Sequence, residues 1–237
     1  LLSDNNGILW IGSTDQGLAK YENDGITFLK CENENETCSV QCLIETKDGI
    51  FFGTENGLGR INENGNVEIL KIPELENKLI RCLSYTGEEI LCVTRDGKLY
   101  AYDGTSCREI ALDLDEQQNI RSVYYCTDRK QALIGTDRDS VYRVNADFEI
   151  TERIKIKDAE CVNSIRYTDD DEILIATDYG VLVYSEGVVR KQQLLLDNSV
   201  DDIYLDYEGN YWFISSRKGI AKISNSRFFN ITHSAQL

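Results

Sequence analysis

Short apolar runs separated by polar turns recur along the whole chain. In one stretch the runs cover 39–45, 50–54, 58–61 and 67–70, and the turns at 47–49 and 62–65 each end in Gly. Runs of this length that are rich in β-branched and aromatic residues and bounded by Asn/Asp-Gly turns are typical of antiparallel hairpins. No segment has a convincing amphipathic helical period. This stretch therefore predicts four short antiparallel strands.

The same unit returns about every 40 residues. A Ser or Thr recurs once in each unit, and we call these six positions the hydroxyl column. A large apolar residue lies three positions before each of them, and the residue directly before is small in most of the units. The hydroxyl column, with spacings of 41, 40, 42, 41 and 38, consists of Ser13, Thr54, Thr94, Thr136, Thr177 and Ser215. A second, apolar column lies upstream at Val40, Ile80, Ile120, Val162 and Val200. Six copies of one unit fill essentially the whole chain.

A unit of four strands in about 40 residues predicts a blade of a β-propeller. We therefore expect an all-β protein in which 1–237 form one propeller domain, with repeats near 1–38, 39–78, 79–118, 119–160, 161–198 and 199–237. Six blades fit either a six-bladed ring or an arc of a seven-bladed ring. Because Leu1 falls inside a first strand, we expect the chain to be a segment of a longer protein. The columns themselves are expected to be structural, since repeats share one core.

Two copies carry a fuller motif, DNNGILWIGSTDQGLAKY at 4–21 and DYEGNYWFISSRKGI at 206–220. This motif resembles the two-component regulator propeller repeat. The first, second and sixth copies match that pattern well, whereas the third to fifth keep only its apolar, hydroxyl and Gly positions. The resemblance implies a sensor domain on the outer side of the membrane, in the periplasm or at the cell surface, of a bacterial signalling protein. A small-molecule or glycan ligand would then be its signal.

The charge balance excludes some partners. The chain has 25 Lys and Arg against 41 Asp and Glu, a formal net charge of −16. Phosphate binding needs a basic face, so this balance weighs against nucleic acid. It also weighs against contact with an anionic membrane surface. No apolar run approaches the roughly 20 residues that a membrane helix needs.

Polar residues directly follow the upstream apolar column, at Gln41, Arg81, Arg121, Asn163 and Asp201. They lie near the start of each blade's expected innermost strand, so in a closed ring they would converge at one mouth of the central channel. Arg side chains hold carboxylate, sulfate or phosphate by bidentate bonds. We predict that these five residues bind the ligand, with the two arginines as anchors for an anion. The alternative is that both arginines pair with nearby acids.

The eight cysteines do not suggest a metal centre. No Cys-x-x-Cys occurs and the single His, His233, lies at the terminus, so we expect no metal and no cofactor. Cys31 and Cys38 flank an acidic loop and would suit a local disulfide in a secreted domain. Free buried thiols are the expected state otherwise, and Cys42 and Cys82, at equivalent strand positions, are expected to be small packing residues.

Catalysis finds little support in the sequence. There is no Gly-x-Ser-x-Gly, no nucleotide-binding loop and no His inside the repeats. We therefore expect a non-catalytic sensing domain. Two alternatives remain open: a protein-interaction scaffold, which could form a homodimer, and a propeller enzyme of the lyase type. Streptogramin lyases use similar propellers, but their chemistry relies on a positioned base, usually His.

Overall fold

The computed structural model describes residues 1–29, 38–62, 64–157, 159–192, 199–206 and 208–224. These ranges contain strands and turns without any helix, so none of them holds a helix that could cross a membrane. The strands of the first three blades are β1 (Leu2–Ser3), β2 (Leu9–Ser13), β3 (Gly17–Glu22), β4 (Gly25–Phe28), β5 (Val40–Thr46), β6 (Gly49–Thr54), β7 (Gly57–Ile61), β8 (Val67–Ile69), β9 (Ile80–Tyr85), β10 (Ile90–Thr94), β11 (Leu99–Tyr102) and β12 (Cys107–Ile110). Those of the last three blades are β13 (Ile120–Cys126), β14 (Gln131–Thr136), β15 (Ser140–Val144), β16 (Ile150–Lys155), β17 (Val162–Tyr167), β18 (Ile173–Thr177), β19 (Gly180–Ser185), β20 (Val188–Lys191), β21 (Asp202–Leu205), β22 (Tyr211–Ser215) and β23 (Gly219–Ile223).

The strands form six separate antiparallel sheets, and each sheet is one repeat of the sequence. Within a sheet the strands follow one another in chain order, as in a meander. Five sheets have four strands, and the sixth has three within the described part of the chain. The predicted all-β propeller of six blades is therefore confirmed.

The Asp and Trp of the fuller motif are joined by a hydrogen bond in both copies. In blade 1 the Asp4 carboxylate accepts a 2.9 Å bond from the Ile8 N–H and another of 2.9 Å from the Trp10 indole N–H. In blade 6 the Asp206 carboxylate accepts a 2.8 Å bond from the Trp212 indole N–H. The carboxylate thus closes the turn between the first two strands and also fixes the Trp ring on the second strand.

The hydroxyl column ends the second strand of each blade. The Thr54 hydroxyl donates to the Gly57 carbonyl at 2.9 Å and accepts from the Asn56 N–H at 3.0 Å. Thr177 makes the equivalent bond to the Gly180 carbonyl, also at 2.9 Å. A hydroxyl so placed satisfies turn groups that would otherwise be buried without a partner. These bonds give the hydroxyl column the structural role that the sequence predicts for it.

Successive blades pack through apolar clusters, one at each of the five junctions from blade 1 to blade 6. The residues directly before the hydroxyl column, which we call the small column, lie in these junctions. A Cβ built on Gly53 would lie 2.6 Å from the Cys42 sulfur and 2.8 Å from Ile80 Cγ2 of the next blade. The next blade's inner strand therefore approaches too closely for a larger side chain at this position.

Among the described residues, the first and last blades carry large apolar side chains that are exposed. Ile220 of blade 6 is 65% exposed, although its counterparts in the other five blades, Leu18, Leu58, Leu99, Val141 and Val181, are at most 1% exposed. On blade 1, Ile26 and Phe28 are each 59% exposed. No apolar cluster of the described residues joins blade 6 to blade 1. Within the described residues, the apolar faces of blades 6 and 1 are therefore not packed against each other.

Candidate functional site

A β-bulge takes one residue of the inner strand out of the strand pairing in each of blades 2 to 5. The pairing of the inner strand with the second strand shifts register at one point in blades 2 to 5, and the residues skipped there are Gln41, Arg81, Arg121 and Asn163. The extra residue of a bulge leaves the ladder and changes the direction of its side chain. In blade 6, Asp201 directly precedes β21, and its N–H donates to the Ile214 carbonyl at 2.7 Å. The bulges give the residue column a structural cause.

All five predicted residues line one central cavity of about 890 Å³. The cavity is bordered by the inner strands of blades 1 to 6, so the predicted convergence of these side chains at the channel is what the fold produces. Further lining residues include Arg95, Arg166, Tyr124 and Asp202. A concave site of this size with a few convergent polar groups suits a small molecule.

The cationic side of the cavity lies on blades 3 and 4. Among the ion pairs of the described residues, none includes Arg81, Arg95 or Arg121. Partial burial, together with the nearby charges of Arg121 and Arg95, lowers the pKa of Arg81 below its ordinary value. Like charges held together without counter-ions attract an anion. Arg81 and Arg121 are the two predicted anchors. The alternative required them to pair with neighbouring acids, and within the described residues no acid forms an ion pair with either of them.

Two of the predicted residues are tied to each other across a blade junction. The Arg121 guanidinium donates to the Asn163 side-chain carbonyl at 3.3 Å, and the Asn163 amide donates to the Val200 carbonyl at 3.0 Å. These bonds run from blade 4 through blade 5 to blade 6. Gln41 is held within its own blade, where its amide donates to the Ser39 hydroxyl at 2.9 Å. The Arg121 guanidinium is thus oriented by a neutral partner and keeps its charge available.

The acidic side of the cavity lies on blade 6. Partial burial opposes ionisation of Asp201, but the Ser216 N–H, which donates at 2.6 Å, helps to hold the pKa of this carboxyl below its ordinary value. Asp202 accepts a 2.8 Å bond from the Ser164 hydroxyl. The cavity is therefore lined by positive charge on blades 3 to 5, including Arg166 of blade 5, and by negative charge on blade 6.

Sequence reasoning missed two arginines of the cavity. Arg95 comes directly after the hydroxyl Thr94, at a turn position where the other copies have neutral or acidic residues. That charge difference was the available signal. Arg166 lies on β17, with its guanidinium carbon 5.1 Å from the centroid of the Tyr124 ring. This cation–π contact joins blades 4 and 5 and could not be read from spacing alone.

The cysteines of the inner strands behave as packing residues. The Cys42 thiol lies against Gly53 and is 3.8 Å from the Ile80 carbonyl of the next blade. Burial raises the pKa of the Cys42 thiol well above its ordinary range and that of Cys82 to about 11. Both thiols are protonated at neutral pH, which suits the small packing role predicted for them.

The described residues contain no group of three or more His, Cys, Asp or Glu side chains arranged to hold a metal ion. Cys31, and with it the predicted disulfide to Cys38, lies outside the described residues. His233 lies outside them as well.

No protein-family model and no curated protein matches the sequence. Solved structures do match. The extracellular domain of a protein assigned as a hybrid two-component system from B. thetaiotaomicron aligns with 94% of this chain at a TM-score of 0.72 and 20% identity. A second such domain, assigned to a one-component system of the same organism, aligns at 0.61 and 18%. This chain has their propeller fold. It spans about a third of their length, 33% and 37% respectively.

An enzyme has a similar fold. Virginiamycin B lyase from Staphylococcus aureus aligns with 96% of this chain and 84% of its own length, at a TM-score of 0.71 and 16% identity. Another structure of that lyase, aligning at the same TM-score, is of a catalytically inactive variant with a His replaced by Ala. At these identities the likeness establishes the propeller architecture, and the chemistry of the site must come from this chain's own residues.

Proposed function

We propose that this chain is a non-catalytic sensing domain, the extracytoplasmic part of a bacterial membrane signalling protein. Its ligand is an anionic small molecule or acidic glycan that binds in the central cavity. The observation that carries this proposal is that Arg81, Arg95 and Arg121 line the cavity without an ion pair to any described residue, in a protein of net charge −16. The fold shared with extracellular domains of signalling proteins supports the sensing role and the location.

The physical argument is electrostatic. Three positive groups at one side of a cavity repel one another, and a carboxylate, sulfate or phosphate relieves that repulsion while accepting their hydrogen bonds. Hydrogen bonds to charged groups are worth about 1.5–3 kcal/mol each, so two arginines supply a large part of a micromolar affinity. A ligand that binds only the folded state also raises the unfolding temperature.

The test is a thermal-shift and calorimetric screen with acetate, sulfate, phosphate, uronic acids and neutral sugars. The variant is Arg81→Gln/Arg121→Gln, which removes both charges and keeps polar side chains. The matched control is Arg60→Gln/Arg108→Gln, which removes two charges that are paired at the rim with Glu68 and Glu89. We expect anions to stabilise the wild type and the control, and to bind the cavity variant at least about tenfold more weakly, because each charged hydrogen bond is worth about one decade in affinity.

A second readout separates binding from a structural role. Without ligand, the cavity variant should unfold at or above the wild-type temperature, because it loses repulsion between like charges. If the variant binds anions as tightly as the control does, the arginines are not the anchors. If no member of the panel stabilises the wild type, the anion-sensing proposal is wrong and an interaction scaffold gains support.

The second candidate function is that of a lyase, because virginiamycin B lyase aligns with this chain at a TM-score of 0.71. The inactive lyase variant carries a His→Ala replacement, and in this chain the single His follows the last repeat strand. The chain therefore offers no His within its repeats for the corresponding role. Conversion of quinupristin, the compound present in the structure of the inactive lyase variant, to a product of altered mass would overturn the non-catalytic interpretation, and a His233→Ala variant would show whether His233 is responsible.

A further inference from the structure

The central cavity has a second cationic position, further along the inner strands than the bulges. We call the positions of Arg81, Arg121 and their equivalents the bulge level. Three residues further along each inner strand is the position that pairs with the large apolar residue of the second strand, and we call it the far level. The far level consists of Ile44, Ser84, Tyr124, Arg166 and Tyr204, and all five line the cavity. Arg166 is the one cation among these five.

The two levels are separated by a distance that the strand geometry sets. On β17 the bulge and two regular strand steps lie between Asn163 and Arg166, which is about 7–10 Å along the strand. The Arg121 guanidinium is tied to the bulge level by its 3.3 Å bond to Asn163. The Arg166 guanidinium carbon lies 5.1 Å from the centroid of the Tyr124 ring, which belongs to the far level. Two oriented guanidinium groups are thus held at different heights of one cavity.

Both guanidinium groups keep their charge for a ligand. Their partners Asn163 and Tyr124 are neutral, and among the described residues neither Arg121 nor Arg166 forms an ion pair. Cations without counter-ions are informative here, because acids outnumber bases by 41 to 25 along the chain. Guanidinium groups of this kind bind carboxylate, sulfate or phosphate by bidentate bonds.

The wall between the two levels does not suit an anion. The residues one step before the far level form an apolar ring around the cavity, made of Leu43, Leu83, Val123, Ile165 and Ile203. One step earlier, Asp202 of blade 6 accepts a 2.8 Å bond from the Ser164 hydroxyl, so a carboxylate lies between the levels. A negative group of a ligand at this height would be repelled by Asp202 and would lose solvation against the apolar ring.

We propose that the cavity binds a linear dianion, a molecule with an acid group at each end and an uncharged spacer. One acid group binds Arg81 and Arg121, the other binds Arg166, and the spacer lies against the apolar ring. This proposal rests on the proposed function, because it needs an anion at Arg81 and Arg121, and it adds the class of ligand. Two tethered groups bind more tightly than one because the second contact is intramolecular, so Arg166 is the residue that favours dianions over monoanions.

The test is isothermal titration calorimetry with dicarboxylates of increasing length: succinate, adipate, suberate and dodecanedioate. Octanoate has the length of suberate with a single acid group, and 8-phenyloctanoate carries an aromatic ring in place of the second one. The variants are Arg166→Gln, which removes the charge, and Arg166→Lys, which keeps it. The matched control is Arg190→Gln on the same blade, which removes a charge that is paired with Glu172 outside the cavity.

We expect the affinity to pass through a maximum near suberate, because shorter chains do not reach both levels. Suberate should bind the wild type at least about tenfold more tightly than octanoate, since one charged hydrogen bond is worth about a decade in affinity. The ratio of the two affinities should fall to about one in Arg166→Gln, stay above one in Arg166→Lys and be unchanged in Arg190→Gln.

The failure of this proposal is distinguishable from failure of the proposed function. If no anion of the panel binds, the anion-sensing function is wrong and this proposal falls with it. If octanoate binds and no dicarboxylate binds more tightly, the function stands and the dianion proposal is wrong. Equal affinities for suberate and 8-phenyloctanoate would make the far level an apolar subsite, and a suberate preference that persists in Arg166→Gln would place the second acid group elsewhere. Should Arg166→Gln fail to fold, the length series in the wild type and in Arg166→Lys still decides the question.

Discussion

Gly135→Ala should destabilise the junction between blades 4 and 5. Gly135 lies on β14 opposite Ser122 of β13. A Cβ at this position would overlap the Ser122 hydroxyl oxygen and lie 2.5 Å from Val162 Cγ1 and 2.8 Å from Ile165 Cδ1 of the next blade. These distances are shorter than any ordinary carbon contact. Either the inner strand of blade 5 moves away or Ser122 gives up its 3.0 Å bond to the Val162 carbonyl.

The expected magnitude follows from the cost of overpacking. Adding one methyl group to a full core costs about 1–3 kcal/mol. For a domain of this size each kcal/mol lowers the unfolding temperature by about 2–4 °C, so the expected decrease is about 2–12 °C. Gly25→Ala is the matched control because the nearest atom to its added Cβ is the Glu22 carbonyl oxygen at 3.6 Å, an ordinary contact. Reduced freedom of the unfolded chain would raise stability in that variant by up to about 1 kcal/mol.

The assay is thermal unfolding followed by circular dichroism, with urea unfolding as an independent measure of the free energy. Because Ser122 and Val162 directly neighbour Arg121 and Asn163, anion binding in the cavity should also weaken in Gly135→Ala and not in Gly25→Ala. Equal stability of the two alanine variants would refute this account of the small column. Lost stability with unchanged anion binding would refute only its link to the site.

Three further outcomes are expected. Desolvation acts to raise the pKa of Asp206, but hydrogen bonds from the Trp212 and Asn210 side chains outweigh it and lower the pKa from 3.8 to about 2. The ionised Asp206 carboxylate therefore stabilises the folded state fully above about pH 4, and this stabilisation is lost as the pH falls towards 2. Asp206→Asn should have a lower free energy of unfolding at pH 7, and that free energy should depend less on pH between 4 and 2. Ile220→Ala should change the free energy of unfolding of this 237-residue chain by less than about 0.5 kcal/mol, whereas Leu99→Ala at the equivalent buried position should cost about 2–5 kcal/mol in urea unfolding. Burial raises the pKa of Cys82 to about 11, so alkylation at pH 8, mapped by mass spectrometry, should be slower by roughly two orders of magnitude in the native protein than in urea. Equal alkylation rates would contradict that pKa.

The fold was accessible from the sequence because a repeat samples the same constraint six times. A single hydroxyl residue at the end of a strand says little about its surroundings. Four of them at near-constant spacing imply one shared environment, and the structure buries all four: Thr54, Thr94, Thr136 and Thr177. The exposure of apolar side chains on the first and last blades was less accessible. Ile220 occupies the same column as Leu99 and has the same apolar character, so its exposure depends on which neighbour is present.

The candidate site was accessible in part. The column from Gln41 to Asp201 was visible as a polar residue after an apolar one, and the structure brings its members to one cavity. Its cause, a bulge that removes Arg81 and Arg121 from the strand pairing, was not visible, because a bulge depends on register and not on residue type. The charge environment was also inaccessible, since whether a guanidinium has a carboxylate neighbour is decided by tertiary packing.

The repeat architecture also constrains how a ligand could act on the rest of the protein. Each blade contacts mainly its neighbours, so stability is close to a sum of blade and junction terms. An anion that bridges Arg81 of blade 3 and Arg121 of blade 4 would strengthen that one junction. The bonds from Arg121 through Asn163 to the Val200 carbonyl continue this connection to blade 6. Because a ligand shifts an equilibrium only by its differential affinity for two states, a signal needs a junction that has two packings. The junction between blades 3 and 4 fits this requirement best among the junctions that the cavity touches. Without ligand, repulsion between Arg81 and Arg121 opposes close packing of these two blades, and a bound anion would favour it.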